Sequence, residues 1–346
     1  MIKRASSVEI QTASKLEVGV ESLILGLNTL CLTLGEFLMK KTLIALAAVA
    51  AVGAASAQVT ISGGVRAALQ NSGVAGAETI LSGNDVAVNN LTFSATEDIG
   101  GGMKISGTYT MRNNLMTGET SSGQDATTVA AGNANWRNTF MDFTGDFGAV
   151  RAGRFGLSGL FAYDPFGATG TIATYASGAY AGSRYNNMLQ YTTPSMSGIN
   201  AVVGVTIDGV ATMDDARWVY VNYNQGALSA RVYSETTSAT PATQTISSGA
   251  GASYNLGVAT AMVGYSTARL VTASAAAAEY YTVGATVPFG SATAKIAYHR
   301  NTVASADTIA VGVDYALSKT SGLFADIAKL SANANPTWQV GIQKAF

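Results

Sequence analysis

Apolar and polar residues alternate with a period of two in segment after segment from Gln58 onward. Val59, Ile61, Val65 and Leu69 alternate with Thr60, Ser62, Arg66 and Gln70. Met103, Ile105, Tyr109 and Met111 alternate with Lys104, Ser106, Thr108, Thr110 and Arg112. The same holds for Tyr185, Leu189 and Tyr191 and for Ile309, Val311, Val313 and Tyr315. A β-strand sends successive side chains to opposite faces, so each segment reads as a strand with one apolar and one polar face. The mean hydropathy of the chain is slightly positive. Yet no apolar run after Gln58 reaches the roughly 20 residues that a spanning helix needs. A chain that is apolar on average but alternating rather than blocky suggests strands with one face in lipid. The signal is weak in any one strand and gains force by repetition.

Sixteen candidate strands begin near Gln58, Val88, Gly102, Ala134, Gly148, Arg184, Ile199, Ala216, Ala227, Ser247, Val258, Ala277, Ser291, Ser305, Thr320 and Asn335. Tight connectors with turn chemistry, such as Ile99-Gly100-Gly101, Gly145 to Gly148, Asn224-Gln225-Gly226 and Pro288-Phe289-Gly290, alternate with others that tend to be longer. The longer ones include Asn71 to Ala87, Asn113 to Asn133, Gly156 to Ser183 and Glu235 to Ile246. One rim of tight turns and one of longer loops is the asymmetry of a transmembrane barrel, and an even strand number puts both termini on the tight-turn side. A soluble sandwich has no reason to sort its connectors by length. The expected fold is therefore all-β: an antiparallel transmembrane β-barrel of sixteen strands. Two places leave the count open by two. Both faces are apolar around Trp218 and Tyr220, and Phe324 shares a parity with Asp326.

The last segment runs to the end of the chain. Trp338, Val340, Ile342 and Phe346 share one parity; Thr337, Gln339, Gly341 and Gln343 share the other. Termini fray unless tied down, and a closed barrel ties its last strand to its first. This ending resembles the C-terminal strand of Gram-negative outer-membrane barrels, which usually finish on Phe. The resemblance implies that Phe346 is an assembly signal. Tyr109, Tyr191, Tyr223, Tyr265, Tyr298 and Phe346 sit near candidate strand ends, where interfacial aromatics belong.

Ahead of the strands lies a secretion signal. Met39-Lys40-Lys41 is basic, Leu43 to Val52 is apolar and Ala-rich, and Ala55-Ser56-Ala57 is a small-residue cleavage site before Gln58. The signal begins at residue 39 rather than residue 1. The expected division is an upstream extension over 1–38 from a start placed too early, a signal peptide over 39–57, and a barrel domain over 58–346. The alternative is a genuine extension in which Leu23 to Leu38 forms a second apolar helix.

The residue inventory narrows the chemistry. The one cysteine, Cys31, precedes the cleavage site, so the mature chain offers no disulfide or thiol chemistry. One histidine, His299, rules out a His-rich metal site and leaves a Ser-His-Asp triad a single possible base. No phosphate-binding Gly-rich loop, paired-carboxylate motif or metal-ligand spacing is present, and no cofactor is expected. Gly100-Gly101-Gly102 lies between strands, without the helix a phosphate cradle needs. Charged residues are 12% of the chain, about half the share of a soluble domain. The net charge of −1 offers no argument for a nucleic-acid partner, and none is expected.

Several stretches, in order, are similar to the trimeric general porins of Gram-negative bacteria, especially those of beta-proteobacteria. They are Thr96-Glu97-Asp98-Ile99-Gly100-Gly101-Gly102-Met103-Lys104; Phe143 to Gly148 followed by Ala152-Gly153-Arg154-Phe155; and Arg184 to Pro194. The resemblance covers Gln58 to Phe346. It implies a third loop folded into the lumen, here the segment holding Tyr163, Asp164, Pro165, Phe166 and Gly167. It also implies acids on that loop facing wall arginines, of which Arg154 and Arg184 match two. The third position falls near Asn90, which is not basic, and Asp164 is the only acid in the loop. Both departures should weaken the transverse field. Parity independently puts Arg66, Lys104, Arg112, Arg184, Arg231 and Lys295 on polar faces, with Asp208, Glu235 and Asp314 as the clearest acids. Basic rings favour anions. A lumenal Arg also reads as a strut that pairs with a loop carboxylate. The resemblance implies a homotrimer in the outer membrane, in contact with lipid and lipopolysaccharide, passing ions and small hydrophilic solutes with a mild anion preference. Two other readings stay open: a barrel enzyme with a constellation at its rim, and a secreted all-β adhesin that would lack a lipid-facing band.

Overall fold

The computed structural model describes residues 58–83, 89–118, 136–167, 184–207, 215–238, 244–271 and 277–346. The extension, the signal and its cleavage site, and Asp208 lie outside the described residues.

The strands are β1 (Gln58–Asn71), β2 (Ile80–Ser82), β3 (Asn90–Gly100), β4 (Met103–Arg112), β5 (Trp136–Gly145), β6 (Gly148–Gly156), β7 (Arg184–Thr192), β8 (Ile199–Thr206), β9 (Asp215–Gln225), β10 (Leu228–Ser238), β11 (Thr245–Asn255), β12 (Thr260–Leu270), β13 (Ala278–Phe289), β14 (Ala292–Asn301), β15 (Ala306–Ala316), β16 (Ser321–Leu330) and β17 (Thr337–Ala345). From β3 to β17 each pairs antiparallel with the next, and β1 joins β3 on one edge to β17 on the other. The wall is thus a closed barrel of sixteen strands, which leaves no free edge. Each of the sixteen expected starts falls within two residues of an observed one.

The short β2 was not anticipated in the Asn71 to Ala87 connector. Its existence follows from an unequal match at the first strand. β1 pairs with β3 from Gln58 to Gly64 and with β2 from Ala68 to Gln70. Between those two stretches Asn89 stands in for a strand. Its Oδ1 accepts the Arg66 N–H, and its Nδ2 donates to the carbonyls of Arg66 and Gly83. A fully buried amide side chain therefore completes the ladder where no backbone reaches.

Strand faces sort as the alternation requires. Val59, Ile61, Met141, Val232, Val283, Ile296 and Ile309 each expose half or more of their surface outward, the disposition expected of a lipid-facing band. Trp218 and Tyr220 point inward and are buried, while Val219 and Val221 point out. Phe324 and Asp326 both point inward: the Phe324 ring lies 3.5 Å beneath the Arg66 guanidinium, and Asp326 pairs with Lys295 at 3.2 Å. At the β3–β4 turn Gly100, Gly101 and Gly102 take φ values of 85°, 62° and 76°, a path that glycine follows without steric cost.

The segment after β6 turns inward. A short 3-10 turn, Phe161–Tyr163, lies within it, and Leu160 and Phe166 have no exposed surface. Leu160 and Tyr163 join a cluster with Phe155, Tyr185, Trp218 and Tyr233; Phe166 joins a second with Ala297, Ala310 and Ala328. These partners lie on lumenal faces of β6 to β16, so the segment fills part of the interior rather than extending into solvent.

Candidate functional site: a loop packed inside the barrel

Arg231 on β10 holds the start of the inserted loop. It donates to Ser158 Oγ at 2.9 Å and to the Gly159 carbonyl at 2.8 Å, while its Nε donates to Asn222 Oδ1 at 2.6 Å. The guanidinium lies 4.9 Å from the Tyr220 ring. The loop then runs along the wall. Tyr163 and Leu160 pack on Gly251 of β11, Pro165 on Gly284 of β13, and Phe166 beside Gly312 of β15.

Asp164 closes this segment on itself and on the wall. Its Oδ1 accepts the Phe166 N–H at 2.9 Å, an Asx turn, and its carbonyl accepts the Gly167 N–H at 3.0 Å. Its Oδ2 stands 3.6 Å from Nε2 of His299 on β14. The His299 Nδ1 lies 3.1 Å from Thr282 Oγ1. Burial pushes the Asp164 carboxyl above its ordinary value; His299, the Phe166 N–H and Lys295 oppose that shift.

A second set of charges underlies Phe166. Lys295 bridges Asp314 at 3.0 Å and Asp326 at 3.2 Å and lies 5.1 Å from the Phe166 ring. Asp326 also accepts from Gln339 at 2.7 Å and lies 3.8 Å from Arg66. A buried carboxylate with three such partners is compensated, as buried charge must be.

The expected wall residues are placed as follows. Arg66 and Arg112 are buried on inward rows. Lys104 sits on the inward row of β4 near the tight turn, opposite Asp98 and Thr144. Arg231 and Lys295 touch the inserted segment as described. Arg184 begins β7, lies over Gly156, and donates to Asn138 Oδ1 at 3.1 Å. Arg154 is different. It pairs with Thr139 on the row of Val150 and Ala152, whereas Arg151 and Phe155 occupy the inward row. Arg154 therefore belongs to the outward row, where it donates to Asn186 at 2.9 Å. The family match had set it facing Asp164; alternation along β6 places Arg151 inward instead. Likewise the wall group nearest the Asp164 carboxyl oxygen Oδ2 is His299, at 3.6 Å, rather than an arginine.

Arg151 is the functional-row residue that the sequence reading missed, with its partner Asp142. The two form a bidentate pair at 2.7 and 2.9 Å, and the guanidinium stacks 3.9 Å over Phe140. The signal was available: counting back from the two-residue turn Asp146-Phe147 sets Asp142 opposite Arg151. Asp326 shares its parity with Phe324, so alternation alone does not mark it as lumenal.

A closed sixteen-stranded barrel, apolar outside and charged inside, with a loop packed in its lumen, defines an outer-membrane channel. The sequence matches the model of the Gram-negative porin family over residues 42–335. It is 35% identical over 246 residues to outer membrane porin protein 32 of Delftia acidovorans, covering 64% of this chain and 67% of that one. Among solved structures, the anion-selective porin from Comamonas acidovorans superposes with a TM-score of 0.68 at 26% identity, covering 84% of this chain and all of that one. A loop-deletion mutant of OmpT, an outer membrane protein of Vibrio cholerae, gives a TM-score of 0.63 at 13% identity, covering 84% and 99%. That second likeness speaks for the fold alone. The chain belongs to the Gram-negative porin family, and it forms a channel in the outer membrane.

Proposed function

We propose that this porin is a passive, mildly anion-preferring diffusion channel that works as a homotrimer, with the segment from Leu157 to Gly167 as its constriction. The observation that carries the reading is the disposition of lumenal charge. Asp142, Asp314 and Asp326 are engaged by Arg151 and Lys295, and Glu235 accepts the Tyr220 hydroxyl at 2.6 Å. Arg231, by contrast, directs its hydrogen bonds to neutral oxygens. Acids held in pairs contribute little field to a passing ion, so the basic rows set the sign. The relative from Comamonas acidovorans is itself described as anion-selective. Lys104, Arg112, Arg184 and Arg231 are the residues proposed to carry the preference; Arg66, 3.8 Å from Asp326, and Arg154, on the outward row, add less.

The same reading takes Gln58 as the mature N-terminus, Phe346 as the assembly signal, and outer-membrane lipid and lipopolysaccharide as the surroundings of the apolar band. Passive diffusion, rather than rim catalysis, is its mechanism. Purified protein in a planar bilayer under a potassium chloride gradient tests it. The expected reversal potential has the sign of chloride preference, and a potassium preference overturns the charge argument.

A further inference from the structure

We infer that the size limit of this channel is set from behind the loop, by three glycines on alternate strands of the wall: Gly251, Gly284 and Gly312. The inference rests on reading the inserted segment as the constriction. Each glycine lies on an inward face directly under a loop side chain. A methyl group added at Gly251 would stand 2.7 Å from the Tyr163 ring and 3.0 Å from Leu160. At Gly284 it would stand 2.6 Å from Pro165 and 2.7 Å from the Ile296 carbonyl oxygen of the neighbouring strand, and at Gly312 it would meet the Asp326 carboxylate first and stand 3.0 Å from Phe166. Carbon atoms pack at about 3.5–4.0 Å, so each addition calls for a displacement of about 1 Å.

The wall is the stiffer side. β11, β13 and β15 are each hydrogen-bonded to neighbours on both edges over nine or more paired positions on each side. The loop is held by side-chain contacts, by Arg231 and by Asp164 beside His299. At Gly251, where the three nearest neighbours of the added methyl are all loop side-chain atoms, the displacement therefore falls on the loop and moves it away from the wall, into the lumen; at Gly284 and Gly312 the wall shares it. Glycine at these positions lets the loop lie flush with the wall, and the bore that remains is whatever the flush loop leaves. The three positions are thus specificity-determining without facing the solute.

The test measures single-channel conductance and the largest sugar taken up by proteoliposomes, in wild type, Gly251→Ala, Gly251→Val and Gly107→Ala. Gly107 sits on β4 with open space around it, so its substitution controls for glycine replacement as such. The expected result is a graded loss of conductance and a smaller size limit from Gly to Ala to Val at 251, with Gly107→Ala unchanged. Combining Gly251→Ala with Leu160→Ala, which removes one of the opposing side chains, should restore part of the loss. Heat-modifiable mobility on gels establishes folding in each variant. Should Gly251→Val not fold, Gly251→Ala and its Leu160→Ala combination carry the test. Folded Gly251 variants with wild-type conductance and size limit overturn the inference, as does an equal loss in Gly107→Ala. A wild-type protein that passes no current would instead overturn the channel reading beneath it.

Discussion

Oδ2 of Asp164 and Nε2 of His299 stand 3.6 Å apart, both buried, one on the inserted loop and the other on β14. The contact joins the one histidine of the chain to the one acid in the segment between β6 and β7. The loop is anchored here through a carboxyl whose charge depends on pH. Burial raises its pKa above the ordinary 3.8. As pH rises from that value, the unfolded chain releases this proton while the folded chain retains it. The folded state then binds more protons, so stability falls with rising pH until the carboxyl ionises in the folded protein as well. Asp164→Asn removes that part of the profile. Urea unfolding in detergent at a series of acidic pH values should show wild type losing stability relative to Asp164→Asn as pH increases. Parallel profiles would show that the carboxyl is not held by burial.

Arg231 ties the loop start to the wall, so Arg231→Met should loosen it while keeping the length of the stem. Three hydrogen bonds from a charged donor are lost, and with them about 2 kcal/mol or more of stability. The channel should become noisier and less selective for anions, because one lumenal base goes and the loop beside it is freed. Current fluctuations and reversal potential in the same bilayer report both effects. Quiet channels of unchanged selectivity would mean that Leu160 and Tyr163 fix the loop without the arginine.

Strand positions were legible in the sequence because lipid and lumen impose opposite polarity on adjacent residues, and Ile309 against Thr308 shows that directly. Faces were harder to assign where the lumen is itself apolar. Both faces are apolar around Trp218 and Tyr220, so alternation leaves their side open; they point in, where the inserted loop brings Leu160 and Tyr163 into the same cluster. Arg154 rests on the family match alone, because parity is ambiguous on so short a strand; the pairing of β6 with β5 puts Arg151, opposite Asp142, on the inward row. The contacts of Asp164 with His299 and of Lys295 with Asp326 join residues far apart in sequence, and no local pattern encodes them. Asn89 left no signal either, since a buried asparagine that replaces a strand looks like any loop asparagine.

Asn89 completes the β1 ladder between β2 and β3, and its replacement tests that role. Asn89→Ala leaves the N–H and carbonyl of Arg66 without their partner in a buried site. The cost should be about 2 kcal/mol, the penalty for stranding buried polar groups. Asn89→Asp keeps the acceptor and loses the donors, so it should fall between the two or below the alanine variant. Denaturant midpoints in detergent measure this, and an Asn89→Ala midpoint equal to wild type would mean that water fills the gap.

Phe346 closes the barrel at its seam. Its N–H donates to the Gly63 carbonyl at 3.0 Å, and its carbonyl accepts the Gly63 N–H at 3.0 Å. Beyond this pair β1 continues alone toward Gln58 on its β17 edge, since the register of the two strands begins at Gly64 and Ala345. The ring lies over Gly63, where an added methyl would stand 2.9 Å away. Deleting Phe346 removes the last backbone pair of the seam and exposes the ladder there. Truncation should therefore lower the yield of heat-modifiable protein in the outer membrane and leave the conductance of the surviving channels unchanged, because the residue faces outward and is 57% exposed. Gly63→Val supplies the complementary perturbation. It keeps Phe346 but crowds both its ring and the Asn90 carbonyl of β3, so it disturbs the barrel around the seam while leaving the terminal aromatic in place. If only the deletion lowers yield, the aromatic terminus itself is what assembly reads. If both lower yield equally, the seam geometry is what matters. Normal yield from the deletion would remove the assembly role of Phe346 and leave the rest of the ladder to close the barrel.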